Sequence, residues 1–351
     1  MHMIMSSRVL GQRLCTTSQR LIQHRSIMVP AASAKGIRPS ATLIVAAPYI
    51  GNKQGKSDYR VLMMKRNAKS SFINAHVFPG GVVDKHDDAF LWQPILGLSN
   101  NAKQQEVTHK ICAIRETFEE SGLLLTHPPA HTVLQDSVRE EWRLKVHEDA
   151  SQFKVLCETF KLTPAVDKLL PFANWITPEA EKRRYNTHFF LTMLDDASVT
   201  KRIEGEAALA ADGKETVQLD WLTPEQALDA NNDKKIVLFP PQWYTLKVLH
   251  EAGAFAQLEQ AGIGALRRRD GSVSTVMPQM NPTPEKEPMA KEGFHAYLAY
   301  PGDETYLDLV TGQPTGTKGQ RHRIYFKGRM ENYRIEKNVD VSDIVAGKAN
   351  L

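Results

Sequence analysis

Beyond the N-terminal leader, apolar residues gather at 41–47, a short run broken only by Thr42 that includes Leu43, Ile44 and Val45. A run of that length, bounded by turn-forming residues and partly β-branched, predicts a buried strand. A turn over 51–57 separates it from a second strand-like segment at 59–65, and the two are expected to pair as a hairpin. A third short strand is expected at 76–78, stopped by Pro79, Gly80 and Gly81. The period then changes. Val107, Ile111, Ile114 and Phe118 recur at helical spacing, so 104–121 is expected to be a helix, with Gly122 ending it. Another strand is expected at 123–125, and 133–170 reads as a charged helical insert or lid over the core. Strand character returns at 188–193 and 216–221. Thr223 and Pro224 supply an N-cap and a first-turn proline for the next helix, and a further helix is expected from Pro241 through Trp243, Leu246 and Leu249. Residues 277–290, rich in Pro, Met and charge, read as a linker or exposed loop, and 297–300 and 323–326 as strand-like pieces. There is no internal repeat. Strands flank helices without regular βαβ alternation, so the class is α+β, with a mixed sheet between helices.

Composition narrows this little. At 42% hydrophobic and 24% charged, the 351-residue chain is globular in type. It has no apolar run near the roughly 20 residues needed to span a bilayer. A net charge of +4 gives no polyelectrolyte argument for nucleic acid. The three cysteines, Cys15, Cys112 and Cys157, are too few and too far apart for a disulfide framework or a CxxC metal site. Cys112 reads as a small buried hydrophobe. The excess positive charge sits at the N-terminus. Arg8, Arg13, Arg20, Arg25, Lys35 and Arg38 precede the first acidic residue, Asp58, so 1–38 resembles a mitochondrial transit leader and is expected to be disordered. The other end, Lys348-Ala349-Asn350-Leu351, resembles a peroxisomal address. Organelle import receptors are therefore the expected macromolecular partners, in a peroxisome or a mitochondrion.

The chemistry concentrates in one helix. Glu116, Glu119 and Glu120 stand at i, i+3 and i+4, which stacks three carboxylates on one face. They repel one another there, at the helix end where the dipole disfavours anions. A hard divalent cation such as Mg²⁺ or Mn²⁺, which takes oxygen ligands, would remove that cost. Arg115 beside them can orient or partly neutralise the cluster. A solvated acidic face would show the same three residues.

The full string decides between these readings. Arg115-Glu116-Thr117-Phe118-Glu119-Glu120-Ser121-Gly122-Leu123, preceded by Phe78-Pro79-Gly80-Gly81, resembles the Nudix box. The spacing departs from that pattern: Gly81 and Arg115 are 34 positions apart (115 − 81), about twenty more than the box allows. Thr117 stands where an aliphatic residue is usual, and the box's first Glu has no clean counterpart. Asp87 lies at the right distance from Gly81, whereas Val107 holds the place counted back from Arg115. Residues 87–104 are expected to form an exposed insertion outside the catalytic framework, which loop-closure entropy tolerates.

Further segments, 175–178, 183–190 and 239–242, resemble the peroxisomal coenzyme A diphosphatase branch of the Nudix family. That resemblance implies a Nudix domain over 39–255 with insertions at 87–104 and 133–170, and a C-terminal extension over 256–351. It implies metal-dependent hydrolysis of CoA or acyl-CoA to 3′,5′-ADP and (acyl-)4′-phosphopantetheine. Glu116, Glu119 and Glu120 would share metal binding and water activation with Arg115 in support, and the Gly81 backbone would add a metal ligand. Arg183 and Arg184, with Lys182 beside them, would meet substrate phosphates. Glu215 and Asp87 are candidate extra acids. Trp175 and Trp221 fit the core better than a base stack. The competing readings are a Nudix hydrolase of NADH or ADP-ribose, and a Nudix-fold binding protein without catalysis, suggested by the missing first Glu.

Overall fold

The computed structural model describes residues 36–49, 55–66, 75–97, 104–194, 216–260, 266, 272–328 and 330–340. Leader residues 1–35, the C-terminal tetrapeptide and Glu215 lie outside them, whereas Ile37 and Arg38, expected in the disordered leader, are paired in the first strand. The central strand is β1 (Ile37–Pro48). It runs parallel to β8 (Arg184–Met193) in continuous register from Ile37↔Arg184 to Ala46↔Met193. It pairs antiparallel with two strands at different heights: β2 (Tyr59–Arg66) near its end and β4 (Gly80–Val82) near its start. β2 also carries β3 (Ala75–Val77) and β9 (Thr216–Leu222), and β3 carries β10 (Val237–Leu238). Beyond β8 come β7 (Leu170–Ile176) and β11 (Thr275–Val276). Two-residue strands β5 (Thr126–His127) and β6 (Thr163–Pro164) pair apart from this sheet.

Both faces of the sheet are covered, which is why β1 is continuously apolar from Leu43 to Ala47 instead of alternating. Ala41, Leu43 and Val45 meet Ile111, Ile114 and Phe118 of α2 (Gln104–Ser121). The same layer holds α1 (Ala89–Leu96), α3 (Asp136–Glu148) and α4 (Ser151–Phe160) through Trp92, Val146, Phe153 and Leu156. On the other face, Ile44, Tyr59, Val61 and Met63 meet Ala227 of α5 (Pro224–Asn232) and Leu246 and Leu249 of α6 (Pro240–Ala252). The Thr223 hydroxyl accepts from Gln226 N while the Gln226 side chain accepts from Thr223 N, a full capping box at the start of α5. Among the described residues no helix is long and apolar enough to cross a membrane.

Residues 279–337 add an antiparallel sheet ordered β12 (Gln279–Pro282), β13 (Ala296–Ala299), β14 (His322–Lys327) and β15 (Glu331–Lys337). It shares the α5/α6 core through Tyr300, Ile324 and Tyr333, and the Tyr333 hydroxyl donates to Leu238 O at 3.0 Å. The C-terminal extension is thus built onto the domain's own core.

Four expectations need correction. Residues 87–104 do not form an exposed loop throughout: Asp87 is buried, α1 follows, and the Trp92 indole donates to His86 O at 2.8 Å and packs on Phe153. One aromatic ring and one ion pair bury what polar composition marked as loop. The 133–170 insert is no lid, because α3 and α4 fill the layer behind α2. Residues 277–290 contain β12 and reach into α7 (Pro288–Lys291). β12 is an edge strand, where Pro282 is tolerated. The strand expected at 123–125 begins only at Thr126. β7 is invisible to alternation because Pro171 and a bulge near it break the period of two.

Candidate active site

The third expected strand is present, but the expected stop at Gly80 and Gly81 begins a further short strand, and the break between the two makes the site. β3 leaves β2, Pro79 interrupts it, and the chain resumes as β4 against the start of β1. Pro79 O accepts from Leu43 N at 2.9 Å, so the crossing is tied to β1. Gly80 has φ +153°, and a Cβ there would lie 2.3 Å from Ala41 O. Only glycine allows the turn to lie this close to β1.

The last turns of α2 face this turn. Glu120 Oε2 accepts from Gly80 N at 2.8 Å. The Glu116 carboxyl rests against Gly81, where a Cβ would sit 2.4 Å from its Cδ. Glu116 and Glu120, one helical turn apart, are each partly exposed and bracket the Gly80–Gly81 turn. Glu119 behaves differently. It is buried, with Oε1 2.7 Å from Arg115 Nη1 and Oε2 3.7 Å from His147 Nδ1.

Arg115 is the buried hub. Its Nε and Nη2 reach the two Asp87 oxygens at 2.8 Å each, a bidentate pair, and Nη2 also donates to Val82 O at 3.2 Å. Nη1 lies 3.0 Å from Glu116 Oε1. Burial alone would favour loss of the Arg115 proton, but its bonds to Asp87 and the charge of Glu116 more than offset that and raise its pKa. Asp87 is itself held: its Oδ2 accepts from Asp84 N at 2.8 Å across a capping box. The structure therefore places Asp87 as the acid facing Arg115, despite the stretched spacing.

Burial pushes the Glu116 carboxyl up to about 7; the Arg115 charge opposes this, and Glu119 and Asp87 add to it. A carboxylate so poorly solvated gains from a cation. Among the described residues no group of three or more His, Cys, Asp or Glu side chains is placed to hold a metal ion. A cation here would rest on Glu116, Glu120 and the turn backbone, completed by water and substrate oxygens. That donor set is all oxygen, which hard divalent cations prefer. Gly81 O lies 3.8 Å from the Cys112 thiol, whose pKa burial raises well above its ordinary value. Cys112 is packing, not a nucleophile.

Arg183 and Arg184 are not part of this cluster. Arg184 opens β8 opposite Ile37, four positions along β1 from Ala41, which faces Gly81. With ordinary strand dimensions that places the Arg184 and Gly81 backbones about 16 Å apart. Arg184 Nε donates to Thr177 O at 3.0 Å, and Arg183 is exposed. Trp175 is buried between Tyr244 and Tyr300, and Trp221 packs beside the α2 layer, so both tryptophans are core. The residues missed by the motif are Arg143 and His147 of α3. Nothing in the box points to them; only their i, i+4 spacing on a helix of the insert could have done so.

A family model described as the NUDT19 Nudix domain matches residues 37–105 and 98–249. A Xenopus laevis protein named acyl-coenzyme A diphosphatase NUDT19 is 33% identical over 270 residues, covering 60% of this chain and 69% of that protein. The Homo sapiens protein of the same name is 26% identical over 295 residues, covering 71% of this chain and 73% of that one. Among solved structures, a Nudix hydrolase from Alicyclobacillus acidocaldarius is 20% identical and covers 61% of this chain and 91% of that one, with a TM-score of 0.48.

Proposed function

This chain belongs to the NUDT19 Nudix family, and from that premise we propose that it hydrolyses the diphosphate bond of CoA and acyl-CoAs with the help of a divalent cation. The products would be 3′,5′-ADP and (acyl-)4′-phosphopantetheine. The observation that carries the reading is the pair Glu116 and Glu120 bracketing the Gly80–Gly81 turn, in a chain whose relatives are named for this reaction. A cation held there, Mg²⁺ or Mn²⁺, supplies Lewis acidity and neutralises charge on the diphosphate oxygens.

The protein's own groups divide the remaining work. Glu116 and Glu120 present oxygens to the cation, and the Gly80–Gly81 turn fixes where they point. Glu119 is held in the Arg115 pair. Arg115 spaces the carboxylates and is fully engaged by Asp87, Glu116 and Glu119, so it acts through them. Arg184 is a distal anchor for an anionic part of the substrate. The acid-free leader and the C-terminal tetrapeptide support an organelle matrix as the site of action. A binding protein without catalysis was suggested by the missing first Glu, and Asp87 makes an Arg115 contact that removes this motive.

The test is product identification. Incubated with CoA and Mn²⁺ or Mg²⁺, the enzyme should release 3′,5′-ADP and 4′-phosphopantetheine in equal amounts, and EDTA should stop it. Intact CoA after prolonged incubation with either metal would overturn the proposal.

A further inference from the structure

The insert carries a fully buried arginine whose bonds end on the catalytic helix. Arg143, in the middle of α3, is 2% exposed. Its Nε donates to Glu119 O at 2.8 Å and its Nη2 to Glu120 O at 3.0 Å. Nη1 lies 3.3 Å from both oxygens of Glu140, whose side chain is half exposed. One turn on, His147 approaches the Glu119 carboxylate. Val146, in the apolar core between them in sequence, anchors α3 in place.

The last carbonyls of a helix have no partner within it. At the end of α2 they meet the negative end of the dipole and three glutamates, so a cation there is favoured twice. The glycine C-cap accounts for only one of these carbonyls and leaves those of Glu119 and Glu120 to Arg143. Gly122 takes the left-handed conformation at φ +74° and donates to Phe118 O at 2.8 Å. Burying a guanidinium is costly unless its donors are met, and these donors are met by the main chain of the two adjacent glutamates. A planar fork can grip two successive carbonyls; an ammonium cannot do so with the same geometry.

We propose that Arg143 is a positioning residue for the metal site, locking the backbone of Glu119 and Glu120 so that the Glu120 carboxylate stays on the Gly80 amide. The insert is then a working part of the catalytic helix. This rests on the reading of Glu116 and Glu120 as cation ligands, but not on the identity of the substrate.

The experiment uses the full chain with Arg143→Met, Arg143→Lys and, as a charge-loss control on the same helix, Lys145→Met, which removes a half-exposed lysine paired with Glu141. Mn²⁺ affinity is read from the free-ion paramagnetic resonance signal without substrate, folding from circular dichroism, and kcat and KM on CoA separately. Arg143→Met should weaken Mn²⁺ binding by about 10- to 100-fold, the usual cost of losing a group that orients a metal ligand. kcat should fall with it, while the KM for CoA stays near wild type and Lys145→Met changes nothing. Where Arg143→Met does not fold, Arg143→Lys decides: weaker Mn²⁺ binding in a folded protein supports the role. A folded Arg143 variant with wild-type Mn²⁺ affinity and kcat overturns it. Because the binding arm contains no CoA, a failure of the substrate reading shows separately, as wild-type Mn²⁺ binding without CoA cleavage.

Discussion

Gly81→Ala isolates the role of Glu116. The φ of Gly81 is not positive, so alanine is compatible with the backbone there. The added Cβ would stand 2.4 Å from Glu116 Cδ and 2.5 and 2.6 Å from its two oxygens. Ordinary contact begins near 3.4 Å, so the carboxyl must retreat by 3.4 − 2.4 = 1.0 Å or swing away. A misplacement of about 1 Å in a catalytic group costs roughly 10²-fold, or about 2.7 kcal/mol of barrier. Glu116 is the end of a flexible side chain, so the fold should survive. Gly80→Ala is the contrasting case: its Cβ meets main chain at Ala41, and its φ of +153° is strained for alanine, so it should lose stability itself. The assay is kcat on CoA at saturating Mn²⁺, with thermal melts of both variants. Gly81→Ala should melt near wild type with kcat down roughly 10²-fold. A folded Gly81→Ala enzyme with undiminished kcat would refute the placement of Glu116 at the reacting centre.

Further outcomes follow from the same geometry. Glu120→Gln should lower kcat by at least roughly 10²-fold with little change in melting temperature, since it removes a partly exposed ligand charge; steady-state kinetics and a melt check both halves. Asp87→Ala leaves Arg115 buried without its bidentate partner and should destabilise the fold by about 3–5 kcal/mol in denaturant titrations, far more than a loop substitution would. In metal-free protein Glu116 keeps its proton up to about pH 7, against 4.5 ordinarily, so folding takes up a proton between those values and this group's contribution to stability falls as pH rises through them. Mn²⁺ needs the carboxylate, so its affinity should rise roughly tenfold per pH unit up to about 7 and then level; calorimetric titrations at pH 5.5, 6.5 and 8 would show this. Arg184→Ala, distant from the carboxylates, should raise the KM for CoA with kcat nearly unchanged and narrow the preference for CoA over dephospho-CoA; a fall in kcat alone would contradict its role as a distal anchor.

The site was legible where chemistry demands a fixed string. Spacing alone stacks Glu116, Glu119 and Glu120 on α2, whereas Gly81, 34 positions before Arg115, was reached only through the resemblance to the Nudix box. The division of labour was not legible. Three glutamates look alike in sequence, and only burial against Arg115 separates Glu119 from the pair on the turn. Asp87 was found by counting from Gly81, yet the same count called its segment an exposed insertion, because a polar composition does not show that one aspartate has a buried arginine to meet. Arg143 and His147 leave only an i, i+4 spacing in the string, because their partners are main-chain carbonyls and a distant carboxylate. In the fold, β1 was clear because burial on both faces makes a continuous run. β7 and β12 were not, because prolines and a bulge are permitted there only by their place in a sheet.

The central claim is that the Glu116–Glu120 site cleaves the diphosphate of CoA. It is tested most directly by kcat/KM for CoA, NADH and ADP-ribose, measured side by side in Mg²⁺ and in Mn²⁺ with wild type and Glu120→Gln. The account predicts that CoA has the highest value and that Glu120→Gln lowers all measurable activity together. Cleavage of NADH or ADP-ribose in preference to CoA would contradict the substrate, and full CoA turnover by Glu120→Gln would contradict the site.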